Sequence, residues 1–247
     1  MVPRLFVTDS LRDCETTYRP GRSAEHYLLR VLRLQPGAKV CLFDGTGGTW
    51  EGVLHTTAGS SEIRTLKFFP EERESPLAVT LVHGLSRSAA MEWVVQKGTE
   101  LGVMAIVPLL TRRSVSRPDA RQAANKIERW QRIAIEASEQ CGRTRVPRIH
   151  PPTSWDNLAA TIPDGLRLLF WEEQCAGEGL RSLSPPSPRL ALTLLTGPEG
   201  GLTAEEVAFA EKELGFVSIT LGPRILRTET AALATLTMVQ TLWGDLG

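Results

Sequence analysis

Two short stretches of this 247-residue chain carry residues suited to holding a ligand: Leu192–Gly201 (LTLLTGPEGG) and Leu221–Ala232 (LGPRILRTETAA). In each, an apolar run breaks into glycine and proline with a helical pattern close behind. Gly197, Gly200 and Gly201 allow the backbone to turn at positive φ and allow a ligand to approach the main chain closely. One such turn reads equally well as a plain strand-to-helix connection. Two of them, the second with Arg224, Arg227 and Glu229 packed together, read as a site. Main chain, small residues and apolar flanks (Leu194, Leu195, Leu221, Ile225, Leu226) suit a flat, neutral, hydrogen-bonding ring such as adenine, held by backbone N–H and C=O groups. Arg227 and Glu229 border that pocket.

Other chemistries lack their residues. GPEGG is neither GxGxxG nor GxxxxGK[ST], so dinucleotide and P-loop readings lack their motifs. There is no GxSxG elbow, and no histidine lies near either turn, which leaves Ser/His/Asp and Cys/His nucleophilic catalysis unsupported. Cys14, Cys41, Cys141 and Cys175 form no CxxC pair, and His26, His55, His83 and His150 are equally scattered. No metal and no disulfide framework are expected, and reduced thiols fit a cytoplasmic protein. No run of ~18 apolar residues marks a membrane span, and MVPRLFVTDS has no signal-peptide core.

Net charge is zero, 28 basic against 28 acidic residues, but the distribution is uneven. Between Arg112 and Arg148 there are ten Arg or Lys against four Asp or Glu; residues 149–247 reverse this with six against twelve. Such asymmetry suits a local phosphate-binding face, although a solvated helix face produces the same pattern.

The elements that must position these residues fall into two textures. Residues 1–70 read as a small β-rich domain: strands at Pro3–Val7, Val40–Phe43, Thr49–His55 and Glu62–Phe69, a turn at Asp44–Gly48, and one helix over Ser23–Leu32. Closely spaced strands with one helix suggest a small barrel. Glu71–Pro76 reads as a linker. From Leu77 onwards strands alternate with helices. Strands are predicted at Leu77–His83, Val103–Leu110, Leu166–Trp171, Leu190–Leu195 and Val217–Leu221. Helices are predicted at Ser88–Leu101, Asp119–Cys141, Trp155–Ile162, Thr203–Leu214 (opened by a Thr203/Glu206 capping box) and Glu229–Trp243, with a Gly/Ser/Pro-rich loop at Ala176–Pro188. Alternation of this kind implies a mostly parallel sheet covered on both faces, with ligands at the carboxyl ends of its strands. The last helix is apolar on nearly every face, as in one fully enclosed or shared with a second subunit.

TGPEGGLTAEE followed by LGPRILRTETAALATL resembles the ribosomal RNA small subunit methyltransferase E family, within the knotted SPOUT methyltransferases. KGTELGV (Lys97–Val103), the arginines after Leu110, EASEQCGR (Glu136–Arg143), RLF (Arg4–Phe6) and HYLLRVLRL (His26–Leu34) extend the resemblance over essentially the whole chain. Pro223 and Leu202 depart from the pattern at positions on which no role rests. The resemblance implies a PUA-like RNA-binding β-barrel over 1–70, a linker over 71–76, and a SPOUT α/β methyltransferase domain over 77–247 whose end threads a trefoil knot. It implies a homodimer that transfers methyl from S-adenosyl-L-methionine to N3 of a uridine in small-subunit (16S) rRNA or the 30S particle, a role in rRNA processing and ribosome biogenesis.

On that footing Thr196, Gly197, Gly200, Gly201, Leu221, Gly222, Ile225 and Leu226 are expected cofactor contacts. Arg227 would stabilise the charge that develops on uracil, with Glu199, Glu229 or solvent taking the N3 proton. Arg4, Arg30, Arg33, Arg112, Arg113, Arg117 and Arg121 are expected phosphate contacts.

Overall fold

A computed structural model describes residues 2–11, 17–57, 60–70, 73–172, 179–185 and 191–247. Cys14, Cys175, the start of the Glu71–Pro76 linker and both ends of the Ala176–Pro188 loop lie outside them. Internal contacts divide the chain into two units, Met1–Glu74 with Ser138–Val146, and Ser75–Ala137 with Pro147–Gly247.

In the first unit, β1 (Arg4–Phe6), β2 (Thr17–Tyr18), β3 (Lys39–Phe43), β4 (Thr49–Thr57) and β5 (Ser60–Phe69) form a sheet in the order β1-β3-β4-β5-β2. Alternation in β4 and β5 sends Leu54 and Ile63 inward, where they meet Leu5, Val40, Leu42 and Leu28. The predicted Ser23–Leu32 helix divides. Its first part, α1, is α-helical over Arg22–His26, and Tyr27–Val31 widens into a π-helical turn closed by Leu32 N–H on the Tyr27 carbonyl at 2.9 Å. Leu28, Leu29 and Leu32, and Leu34 just beyond the turn, pack on the core from this segment.

The second unit is an all-parallel sheet. It comprises β6 (Ala78–Gly84), α2 (Ser88–Glu100), β7 (Ala105–Leu110), α3 (Ala120–Cys141), β8 (Arg148–Ile149), β9 (Thr153–Ser154), α4 (Trp155–Thr161), β10 (Gly165–Phe170), β11 (Ala191–Thr196), α5 (Ala204–Leu214), β12 (Val217–Ile219) and α6 (Thr228–Trp243). Leu180–Ser182, within the predicted loop, form a single 3-10 turn. Strand order is β12-β10-β11-β6-β7-β8, with β9 also on β7. The strands are near-continuous runs of buried Val, Ile and Leu, as parallel strands covered on both faces must be. Val82, Val107, Leu169 and Leu195 point to a cluster with Val207, Ala210 and Leu214 of α5 and Leu158 of α4. On the opposite face Gly98 of α2 lies beside both Ile106 and Leu236 of α6.

Helix α5 has clear signals at both ends. Thr203 caps α5 reciprocally with Glu206, and Gly215 at φ 66° ends it in the left-handed conformation. Helix α6 is not apolar all round in its surroundings: Ala232, Leu236 and Val239 are buried, whereas Leu242 is 40% exposed. Its buried Gln240 accepts from Ser75 Oγ at 2.8 Å and donates to the Leu101 carbonyl at 2.8 Å.

Segment 138–146 belongs with the first unit for a definite reason. Arg143 is buried and pairs with Glu74 Oε2 at 2.7 Å, while Glu74 Oε1 accepts from the backbone N–H of Thr144 and Arg145 at 2.9 and 3.0 Å. Glu139 accepts from Phe6 N–H at 2.9 Å, and Arg4 donates to the Arg143 carbonyl at 2.7 Å. A buried charge retains its place only when paired and hydrogen-bonded, so the Arg143–Glu74 pair is part of the interior of the first unit and not a solvated surface.

Candidate functional site

Because every strand of the second sheet runs the same way, the loops after β6, β10, β11 and β12 emerge on one edge. They enclose a cleft of about 830 Å³, within the ~300–1,000 Å³ range of small-molecule sites. Gly197, Glu199, Gly200 and Gly201 form one side; Leu221, Gly222, Ile225, Leu226, Arg227 and Glu229 form the other. Separated in sequence by α5 and β12, the two predicted turns are thus brought together.

Thr196 is the exception among the predicted contacts. It is fully buried beneath the cleft, its hydroxyl 2.8 Å from His83 Nδ1. His83 corrects the reading that no histidine lies near the turns: distant in sequence, it is the β-sheet neighbour of Thr196. Its Nε2 is 3.3 Å from both Ser86 Oγ and Thr228 Oγ1. Burial drives its pKa down to about 4, against a smaller opposing pull from Glu199. The ring is therefore neutral at pH 7.

Backbone geometry shapes the first side. Gly84 touches Pro198 so closely that a Cβ on Gly84 would collide with the proline ring and nitrogen. Gly201 turns at φ 71° and donates its N–H to the Pro198 carbonyl at 2.9 Å. Glu199 Oε1 accepts from Arg87 N–H at 2.8 Å, at the N-terminus of α2, where a carboxylate favours the helix dipole. On the second side, Gly222 turns at φ 97° with open space where a Cβ would stand. Arg227 is the N-cap residue of α6 and Glu229 lies in its first turn.

The proposed phosphate contacts separate into different settings. Arg113 Nη1 donates to the Gly200 carbonyl at 2.9 Å, and Arg112 lies 3.5 Å from Glu205, both exposed. Arg117 and Arg121 are exposed beyond them, as are Arg30 and Arg33 in the first unit. Arg4 is turned inward, over the Phe43 ring at 5.0 Å and onto the Arg143 carbonyl. The basic run is not one face either: Arg129 pairs with Glu92, Arg132 with Glu128, and Arg143 with Glu74.

Sequence reasoning missed Arg87 and Trp93 of α2 and Trp171 and Glu172 after β10, all lining the cleft. It missed His83 and Glu206 as supports. Glu206 is buried and accepts from Arg112 N–H at 2.8 Å, Trp155 Nε1 at 2.9 Å and Thr203 N–H at 2.9 Å, anchoring the basic loop to the start of α5. Applying the carboxyl-end rule to every strand, and not only to those followed by glycine, would have pointed to His83 and Trp171.

Among the described residues no group of three or more His, Cys, Asp or Glu could hold a metal ion, and no helix is long and apolar enough to cross a membrane. The cleft fits an adenosyl ligand: its size is right, it is lined by main chain and Leu221, Ile225 and Leu226, and positive-φ glycines expose backbone polar groups to it.

Comparison with known proteins agrees. Residues 73–240 match an RNA methyltransferase domain and residues 25–62 an RNA methyltransferase PUA domain. Thus the parallel-sheet unit with its cleft defines an RNA methyltransferase joined to a PUA domain. The chain is 37% identical to ribosomal RNA small subunit methyltransferase E of Synechocystis sp., over 88% of this chain and 70% of that one. It is 35% identical to the Bacillus subtilis protein of the same name, over 87% and 86%. A crystal structure of the Neisseria gonorrhoeae ribosomal RNA small subunit methyltransferase E, bound to S-adenosyl methionine, superposes with a TM-score of 0.89 at 34% identity, covering 100% of both chains. The chain belongs to the ribosomal RNA small subunit methyltransferase E family.

Proposed function

We propose that this protein methylates N3 of a specific uridine in 16S rRNA, with S-adenosyl-L-methionine as methyl donor. The observation that carries the reading is the convergence of both glycine-bearing loops on one cleft, with Arg227 and the N-terminus of a 16-residue helix at its border. Bound there, the donor supplies a methyl group already activated on a sulfonium. The chain's contribution is then positioning for in-line displacement and management of one proton. Gly197, Gly200, Gly201, Leu221, Gly222, Ile225 and Leu226 hold the donor, chiefly through backbone.

Uridine N3 pairs in duplexes, so the base must be unpaired or splayed out to enter. Loss of its proton spreads negative charge over N3, O2 and O4. Arg227 and the positive end of the α6 dipole offset that charge. One oxygen of Glu199 is committed to Arg87 N–H, which leaves Glu229 and solvent better placed than Glu199 to accept the proton. Arg30, Arg33, Arg112, Arg113, Arg117 and Arg121 contact RNA phosphates; Arg4 supports the first unit instead. The reading includes a closed PUA-like barrel, a trefoil knot through the Gly197–Arg227 region, a homodimer, and action in the cytoplasm on rRNA or the 30S particle.

The test is methyl transfer to rRNA from cells lacking the enzyme, with products mapped by mass spectrometry. Wild type should yield N3-methyluridine. Arg227→Ala should lower turnover by about 10²–10³-fold, the range for a lost charge-stabilising group, with donor affinity retained. A 2′-O-methyl product would replace the reading with a sibling activity, and unchanged turnover in the variant would remove the role of Arg227.

A further inference from the structure

At the floor of the cleft lies a buried polar cluster that plays no part in the chemistry just described: His83, Ser86 and Thr196 beneath it and Thr228 at its lining, from β6, the loop after it, β11 and α6. Its hydrogen-bond accounting is closed. Thr228 Oγ1 donates its proton to the Gly197 carbonyl at 2.6 Å, and Ser86 Oγ donates its own to the Gly84 carbonyl at 2.9 Å. Towards His83 Nε2, 3.3 Å away, both oxygens can therefore only accept. Nε2 must carry the ring proton, and Nδ1 must accept from the Thr196 hydroxyl at 2.8 Å. Every hydroxyl proton and the ring N–H then has a partner, among side chains at most 6% exposed.

The cluster joins the two sides of the cleft. Thr196 directly precedes Gly197 at the end of β11. Thr228 follows Arg227 at the start of α6, where Glu229 comes next. His83 bonds to both threonines, and Thr228 also holds the Gly197 carbonyl. We infer that His83, as the neutral Nε2–H tautomer, is a positioning residue that ties the first glycine loop to the N-terminus of α6 and so sets the width of the donor site. This inference rests on the reading of the cleft as a methyl-donor site. Apolar packing in place of the imidazole would leave the Thr196 hydroxyl without its acceptor and remove the tie from His83 to Thr228, which would keep only its bond to the Gly197 carbonyl.

Calorimetric titration of the full chain with S-adenosyl-L-methionine tests it, with steady-state kinetics beside it. His83→Leu is expected to bind the donor at least about tenfold more weakly, a step of roughly 1.4 kcal/mol, with KM for the donor raised more than kcat is lowered. His83→Gln, which restores one donor and one acceptor, should recover most of that loss. Thr228→Val cuts the same link from α6 and should weaken donor binding even where the leucine variant fails to fold. Wild-type affinity in His83→Leu or in Thr228→Val, or equal losses in the leucine and glutamine variants, would overturn the role. Absence of donor binding by the wild type would instead overturn the proposed function, and this inference with it.

Discussion

Of the two loops that wall the cleft, the first is held by protein on several sides, whereas the second presents most of its length to solvent. Pro198 is wedged under Gly84, Glu199 holds Arg87 N–H, Arg113 grips the Gly200 carbonyl, and Leu202 is buried in the core at 2% exposure. In the second loop Gly222, Pro223, Arg224 and Arg227 are exposed and Ile225 is 87% exposed; its start is pinned by Gly222 N–H on Thr220 Oγ1 at 3.3 Å. Position in the sheet explains the difference. The first loop leaves β11, which lies between β10 and β6, while the second leaves the edge strand β12. A central strand delivers its loop among neighbours on both sides; an edge strand does so on one. A preformed side against an open one suits a donor that docks first on the rigid wall and is then covered by the second.

This contrast can be broken from the rigid side most severely by acid. His83 has a folded-state pKa of about 4 against an ordinary 6.5, so the unfolded chain binds its proton first. Its contribution is fully present above pH 6.5 and is lost as pH falls from 6.5 through 4, by up to about 3 kcal/mol in all. Thermal unfolding of wild type and His83→Gln between pH 7 and pH 4 checks this: the glutamine variant should lose distinctly less stability over that window.

Gly84→Ala attacks the same wall by sterics. The new methyl must displace Pro198, for about 1–3 kcal/mol of destabilisation and a weaker donor site, read by denaturant unfolding and calorimetry. Glu206→Gln acts one step further away. Its three donors, Arg112 N–H, Trp155 Nε1 and Thr203 N–H, would face an amide that carries donors of its own. A cost of about 1–2 kcal/mol is expected, with RNA affinity lowered more than donor affinity in filter-binding and calorimetric measurements. The two loops should also differ in how much the donor slows their exchange. On adding S-adenosyl-L-methionine, amide hydrogen exchange should slow more over 221–227 than over 197–201; the reverse order would show that the first loop is not the preformed side.

Much of this was legible in the linear chain because it depends on local patterns. The alternation of buried strands and amphipathic helices gave the parallel sheet, Thr203 and Glu206 gave the start of α5, and the two GP-containing turns gave both sides of the cleft. What failed were inferences that treated neighbourhood in sequence as neighbourhood in space. Histidine was excluded from the site although His83 lies under it, and Arg143 was counted with a basic surface although it is buried on Glu74. Arg4 looked like a phosphate ligand, yet its guanidinium bonds to the Arg143 carbonyl. A charge pattern records how many basic groups a segment has; it does not record which of them find partners far along the chain.

Residue chemistry was written in the linear order of the chain: backbone-exposing glycines, apolar flanks, Arg227 and Glu229, and the period of the strands and helices that carry them. Which elements sit side by side was settled on folding, because the order in which β6, β10, β11 and β12 pair is a long-range choice that no local spacing encodes. That pairing put one loop on a central strand and the other on an edge, and set a neutral histidine between them.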